Sequence, residues 1–254
     1  MSIWIFVENQ NLPNNSVDLL QYWSASKVLL HAENPYNPQQ LEFYQIQTQN
    51  FHSLIRMWNP PNIFFFIVWL KFFDFEFAKA VWFFVSASMI FCSFILSFLL
   101  AKGRVKDSKN DFFYFLIACV CFYPSYLCLY YGQISSLLAL SISAFLFLID
   151  KKQHFFAGLF LAISLIKPHL LAPLYLWLIF SISNSESRTI LRGFLVGATI
   201  SFLLPLFFNL HIYHFYFESL KEPPIYFKTP TLGSLLQGIT GIHKQFVRVL
   251  PSFI

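Results

Sequence analysis

The chain has 254 residues, of which 57% are hydrophobic, 20% aromatic and only 11% charged, less than half of the roughly 25% charge typical of soluble domains. Its 17 Lys and Arg against 12 Asp and Glu leave a net charge of +5, but the basic residues are spread between apolar runs instead of gathered in a patch. These values exclude a soluble globular enzyme, a disordered region and a nucleic-acid binder of the usual kind, and they predict an all-α polytopic integral membrane protein in contact with membrane lipids.

The first residues, 1–7 (MSIWIFV), lack a basic n-region and are too short to span. Residues 8–59 are polar, aromatic and poor in basic residues, holding only Lys27 and Arg56. Residues 61–75 are apolar but short of the roughly 20 residues that a span needs, and Lys71 and Asp74 interrupt them. They read as a juxtamembrane or re-entrant helix. Apolar runs then follow at 77–101, 112–131, 134–149, 155–166, 170–183 and 193–217, giving about six transmembrane helices. The shorter runs depend on neighbours and flanking polar residues to complete their crossing. Three segments result: an extracytoplasmic loop with juxtamembrane helices (1–76), a transmembrane bundle (77–217) and an extracytoplasmic C-terminal segment (218–254).

Orientation follows from three short basic stretches, 102–111, 150–154 and 184–192. Together they carry eight Lys or Arg, and alternating topology puts them on one side, the cytoplasm. The polar head, the Gly132-Gln133 turn and the Lys167 corner then share the outer side. The four cysteines lie in apolar stretches without metal spacing, so no disulfide framework or Cys-based metal site is predicted.

The residues that can carry chemistry also lie on the outer side. Asp18 precedes Tyr22 and Ala25 at helical spacing. A carboxylate just above a membrane can act as a general base for an incoming hydroxyl, or it can serve as a helix cap. Asn34-Pro35-Tyr36 and Trp58-Asn59-Pro60-Pro61 form rigid turns. Asn34, Tyr36 and Asn59 either shape a substrate groove or simply hold the architecture. Gln133, in YYGQISSLL, offers a donor and an acceptor between two uncharged runs, or sits in a plain tight turn. Lys167 interrupts AISLIKPHLL near the outer face. It suits a lipid phosphate there, or it snorkels to the interface beside the Pro168 break. His169 can assist it or be an ordinary interfacial histidine. His211 and His214 lie three apart without a carboxylate or cysteine to complete a ligand set. No P-loop, G-x-S-x-G or CxxC pair is present, so no cofactor is predicted, and the sequence leaves metal dependence open.

Taken in order, Asp18 to Tyr36, Trp58 to Pro61, Tyr131 to Leu138 and Ala157 to Pro168 resemble glycosyltransferase family 87, and Ser234-Leu235 in TLGSLLQG resembles the family's NQSL-like stretch. The resemblance runs over nearly the whole chain. It implies a GT-C-like helical bundle in the bacterial inner membrane, with its active side extracytoplasmic. It also implies a hexosyltransferase that moves a sugar, typically mannose, from a polyprenyl-phosphate donor to a lipid-linked or envelope glycan acceptor. Asp18 matches the family's acidic residue in the first outer loop, and Lys167 would hold the donor phosphate. Tyr22, Asn34, Tyr36, Asn59, Gln133 and His169 are the substrate-groove candidates. The family pattern also leads to the expectation that the first helix and the C-terminal helices are missing here. The competing reading is a non-catalytic truncated remnant or a membrane assembly partner of such an enzyme. A transporter fits less well, because transporters place ionisable groups near the midplane.

Overall fold

The computed structural model describes residues 16–48, 53–102, 110–221, 232–241 and 247. Among the described residues the chain is helical, with no strand. Most of the basic stretch 102–111 and most of 218–254 lie outside the described residues.

Two short helices open the described chain, α1 (Val17–Leu30) and α2 (Pro38–Gln45). Ten of the 14 residues of α1 are buried, so this helix is a hub and not a surface element. Buried all round, its polar side chains need partners inside the protein. Ser26 donates to Tyr22 O at 2.7 Å and lies 3.0 Å from Ile67 O, Gln45 Nε2 donates to Ser24 Oγ at 3.0 Å, and Trp23 Nε1 donates to Phe73 O at 3.0 Å. Leu19, Leu20 and Val28 are almost completely buried beside them, each side chain of this kind contributing about 1.5–3 kcal/mol relative to exposure. Helix α2 starts where Pro38 presets the first turn and Asn37 Oδ1 accepts from Gln39 N and Gln40 N.

Residues Pro61–Phe72 form α3, a helix of alternating 3-10 and α character lying against α1. It is short, as the sequence predicts, and its division into 3-10 and α pieces is not read from the sequence. Helix α4 (Phe75–Lys102) follows, capped by Asp74 Oδ1, which accepts from Phe77 N at 2.9 Å. Its 28 residues span about 42 Å at 1.5 Å per residue, more than a hydrocarbon core of about 30 Å. Phe75, Ala78, Trp82 and Ser86 turn one face of its first half into the core around α1.

Helices α5 (Asp111–Cys121) and α6 (Tyr123–Tyr131) meet at 45°. The bend falls at Phe122-Pro124, where proline cannot donate to the preceding turn. Helix α7 (Ser135–Asp150) packs between α4 and α8 (His154–Ile163), and α8 packs along α10 (Ser185–Leu203), with α9 (Ala172–Phe180) between them in sequence. The α8–α10 seam is built from small residues. A Cβ on Gly158 would collide with Ile190 O, and one on Gly193 would collide with Phe155 O. Gly158 and Ala162, like Gly193 and Gly197, stand four apart, the small-residue spacing that lets membrane helices approach closely.

Among the described residues two helices are long and apolar enough to cross a membrane, Phe75–Lys102 and Ser185–Phe207, and the bent α5–α6 pair passes the same test when its two halves are taken together. The remaining predicted runs form apolar helices of 10–17 residues. Val120, Phe180 and Phe207 are each more than four-fifths exposed, which suits contact with lipid and not with water. The run expected to continue to 217 divides. It passes through a 3-10 turn at Leu204–Phe207, breaks at Asn209, and resumes as α11 (Ile212–Ser219). Asn209 Nδ2 donates to Ala32 O at 2.7 Å, which ties that break to the end of α1. The TLGSLLQG stretch forms α12 (Leu232–Thr240), with Leu235 exposed and the Ser234 side chain outside the described residues.

Candidate functional site

The site begins at the pinned N-terminus of α1. Ser16 N donates to Tyr130 O at 2.8 Å. Gly132 closes α6 in the left-handed conformation at φ 67°, and a Cβ there would stand 2.7 Å from Leu19 Cβ. Glycine is required twice over, once by the backbone and once by the approach of α1. Trp82 Nε1 donates to Gly132 O at 3.0 Å, locking the turn against α4. The YYGQ stretch thus holds the first turn of α1, and with it Asp18, against the start of α7.

Asp18 stands second in α1, two positions past the cap residue Ser16, and its Oδ1 accepts from Gln21 Nε2 at 3.1 Å. Gln133, just beyond Gly132, and the Lys167 ammonium both act on the same carboxylate and lower its pKa. Lys167 occupies a non-helical joint, φ −140° and ψ 68°, between Ser164–Ile166 and Pro168–Leu171. Its Nζ donates to Ser135 Oγ at 3.1 Å, and Ser135 Oγ lies 3.5 Å from Gln133 Oε1. Donors run one way from Lys167 through Ser135 to Gln133, which acts in turn on the Asp18 carboxylate. Such chains polarise one another in low-dielectric surroundings.

Burial pushes the Asp18 carboxyl above the ordinary carboxylate range, and Lys167, Gln133 and Gln21 offset part of that rise. The carboxylate keeps an exposed edge although protein surrounds most of it. Tyr22, one turn on, is buried against Trp82 at a centroid distance of 6.0 Å, and burial, reinforced by Asp18, raises its phenol well above its usual value. It lies in the core beside Asp18 and lines neither pocket described below. His169 is exposed beside Lys167.

The other groove candidates gather past the opposite end of α1, a helix about 21 Å long. Asn34 Oδ1 accepts from Tyr36 N at 2.9 Å, and Tyr36 Oη donates to Asn59 O at 2.9 Å. These bonds fasten the two proline turns together and make Asn34, Tyr36 and Asn59 a frame. Asn34 and Tyr36 also line a pocket of about 160 Å³ with Arg56, Trp58 and Glu218. A second, larger and mostly apolar cleft of about 620 Å³ opens beside Leu19 and Gly132, between α4 and α6.

Sequence reading missed Gln21 and Ser135. Gln21 stands i+3 from Asp18 and Ser135 two residues beyond Gln133, spacings that carry the signal only once Asp18 and Gln133 are taken as one site. Among the described residues no group of three or more His, Cys, Asp or Glu is placed to hold a metal ion.

Comparison with known families gives one match. The family model described as glycosyltransferase family 87 covers residues 58–250, about three-quarters of the chain. Gln133, Ser135 and Lys167 fall inside the match, and Asp18 precedes it. No curated protein and no solved structure matches.

Proposed function

The chain belongs to glycosyltransferase family 87, a family of membrane glycosyltransferases, and from that premise we propose that it moves a hexose, mannose in the first instance, from a polyprenyl-phosphate donor to a lipid-linked or envelope glycan at the outer face of the bacterial inner membrane. The observation that supports this reading is the convergence of Asp18 and Lys167 on one site through Gln133 and Ser135.

The chemistry follows from the two charges. A hydroxyl of the acceptor attacks the anomeric carbon as the bond from that carbon to the phosphate oxygen breaks. Asp18 takes the hydroxyl proton, and burial strengthens it as a base relative to an exposed carboxylate. The phosphate leaves with the bonding electron pair, and the Lys167 ammonium stabilises the charge that builds on it. Lys167 has three donors, of which Ser135 uses one. The leaving group travels with the donor lipid, so the reaction needs no nucleotide-binding loop. Attack from the face opposite the phosphate inverts the anomeric centre.

The test is transfer by purified protein in nanodiscs, with polyprenyl-phosphate mannose as donor and a lipid-linked mannoside as acceptor. Wild type should give a mannosylated product. Asp18→Asn should lose roughly 10²–10⁴-fold in rate, the range of general-base effects, with unchanged insertion. Equal rates in the two proteins would remove Asp18 from the chemistry.

A further inference from the structure

We infer that the pocket lined by residues 34–38, the stretch 56–58 and the end of α11 is a carbohydrate subsite that takes one pyranose ring of the acceptor glycan, away from the ring that reacts. The inference rests on the transferase reading for the identity of the ligand as an acceptor. The pocket itself rests on its own geometry.

Its volume of about 160 Å³ is well below the roughly 300–1,000 Å³ of sites for drug-sized ligands. It corresponds to about five waters at roughly 30 Å³ each. That is room for a single sugar ring and not for a lipid tail.

The lining has the mixed character that a pyranose needs. Trp58 supplies an aromatic surface for the C–H face of a ring, and Arg56 and Glu218 supply polar groups for its hydroxyls. The two asparagines are set as donors by the fold. Asn34 Oδ1 is committed to Tyr36 N and Asn37 Oδ1 to Gln39 N and Gln40 N. Asn37 Oδ1 is filled by its two bonds and leaves its NH2 for a ligand, and Asn34 offers its NH2 beside one remaining acceptor site. Opposite in character is the Glu218 carboxylate, which accepts from Lys221 Nζ at 2.7 Å. That hydrogen bond, with His214 adding to it, holds the Glu218 carboxyl below its usual range, so it stays an acceptor at neutral pH. Amide donors and a carboxylate acceptor in one lining match the paired donor and acceptor capacity of vicinal hydroxyls.

The frame is rigid before any ligand arrives. The Tyr36 hydroxyl is held by Asn59 O, the Ser219 hydroxyl by Tyr216 O at 2.7 Å, and the Tyr36 ring packs on Tyr216 at 5.5 Å. A site already fixed in shape spends little binding energy on ordering itself. Contacts to a remote ring can then be used to orient the reacting hydroxyl at the other site.

The experiment is saturation-transfer NMR on the full chain in nanodiscs with methyl α-D-mannopyranoside, methyl α-D-glucopyranoside and methyl α-D-galactopyranoside. Asn34→Asp combined with Asn37→Asp keeps both committed oxygens and deletes both NH2 donors, so the turn and the α2 cap survive. Trp58→Ala deletes the aromatic face, and Trp58→Phe restores part of it. Wild type should bind at least one of the three glycosides. The double Asp variant and Trp58→Ala should bind it at least tenfold more weakly, with Trp58→Phe between them. No binding of any glycoside by wild type, or binding unchanged in the double variant and in Trp58→Ala, overturns the subsite. Hydrolysis of polyprenyl-phosphate mannose by wild type, measured separately without acceptor, reads the transferase chemistry alone. Glycoside binding without donor turnover would leave the subsite standing and fault the transferase reading. Turnover without glycoside binding would do the reverse.

Discussion

Lys167 faces Asp18 without closing a direct ion pair with it. The ammonium is held on Ser135 at 3.1 Å, and its charge still reaches the carboxylate. The two charges are thus kept near each other but apart, with a serine and a glutamine between them. A closed salt bridge would satisfy both groups and leave neither for a substrate. An open arrangement suits the proposed chemistry, in which the ammonium meets a phosphate and the carboxylate a hydroxyl.

The separation makes Lys167→Met informative. The variant should insert normally and need a higher donor concentration for half-maximal transfer, because the phosphate loses its cationic partner. Lys167→Arg should recover part of the affinity, since a guanidinium also binds phosphate through a different geometry. The acid limb of the pH–rate profile should move to higher pH in Lys167→Met, since Lys167 lowers the Asp18 carboxyl. A donor titration at several pH values checks both. An unchanged half-saturation and an unchanged acid limb would show that Lys167 serves only packing.

Asp18 should carry a stability signature of its own. Burial raises its carboxyl in the folded protein above the ordinary 3.8. Between the unfolded and folded values the folded state therefore holds more protons than the unfolded state, and stability falls as pH rises through that window. Above the window the loss is complete. Asp18→Asn removes a buried charge and should unfold at a higher temperature than wild type at neutral pH, with a weaker dependence on pH in the acidic range. Thermal unfolding in detergent from pH 4 to 8 measures this, and a variant less stable than wild type at neutral pH would contradict it.

Gly132→Ala should damage both stability and transfer. The left-handed backbone costs a non-glycine residue about 1–2 kcal/mol, and the new Cβ would press on Leu19 Cβ at 2.7 Å. Pushing Leu19 moves the turn that carries Asp18. Leu19→Gly in the same chain removes the Cβ that the new methyl meets and should recover part of the transfer rate while leaving the backbone cost in place. Transfer rates and unfolding midpoints of the single and double variants test the pair.

Membrane orientation is open to labelling. Cysteine at Gln39, an exposed position on α2, should react with a membrane-impermeant maleimide in intact cells. Cysteine at Ser183, just before the first two turns of α10 that carry Arg188 and Arg192, should react only after permeabilisation. The opposite pattern would turn the site to the cytoplasm.

The sequence made some of this legible and hid the rest for physical reasons. The Asn34-Pro35-Tyr36 turn could be read because proline limits its neighbours, and the side chain of Asn34 closes it as such turns do. Asp18 and Lys167 stood out because charge is rare in this chain. Their meeting was not readable, since it depends on the three-dimensional path that brings the Ile166–Pro168 joint back to α1. The burial of α1 was hidden as well. Gln21, Ser24 and Ser26 look like solvent-facing residues, yet Ser24 and Ser26 bond backbone carbonyls and Gln21 bonds Asp18. The run from 193 to 217 looked continuous because its residues are apolar, whereas Pro205 and Asn209 divide it.

The seam between Gly158 and Gly193 has a mechanical consequence. Two backbones in direct contact cannot slide past each other without lifting apart, so α8 and α10 behave as one strut anchored in the bilayer. Lys167 is carried just past the upper end of that strut, on the 3-10 turn Ser164–Ile166 and the irregular joint that follows. Any adjustment of the ammonium to an arriving phosphate is therefore a pivot over the three residues of that turn and the joint, and not a shift of a helix. A larger residue at 158 would act as a wedge at the foot of the strut and would tilt the pivot without touching the site itself.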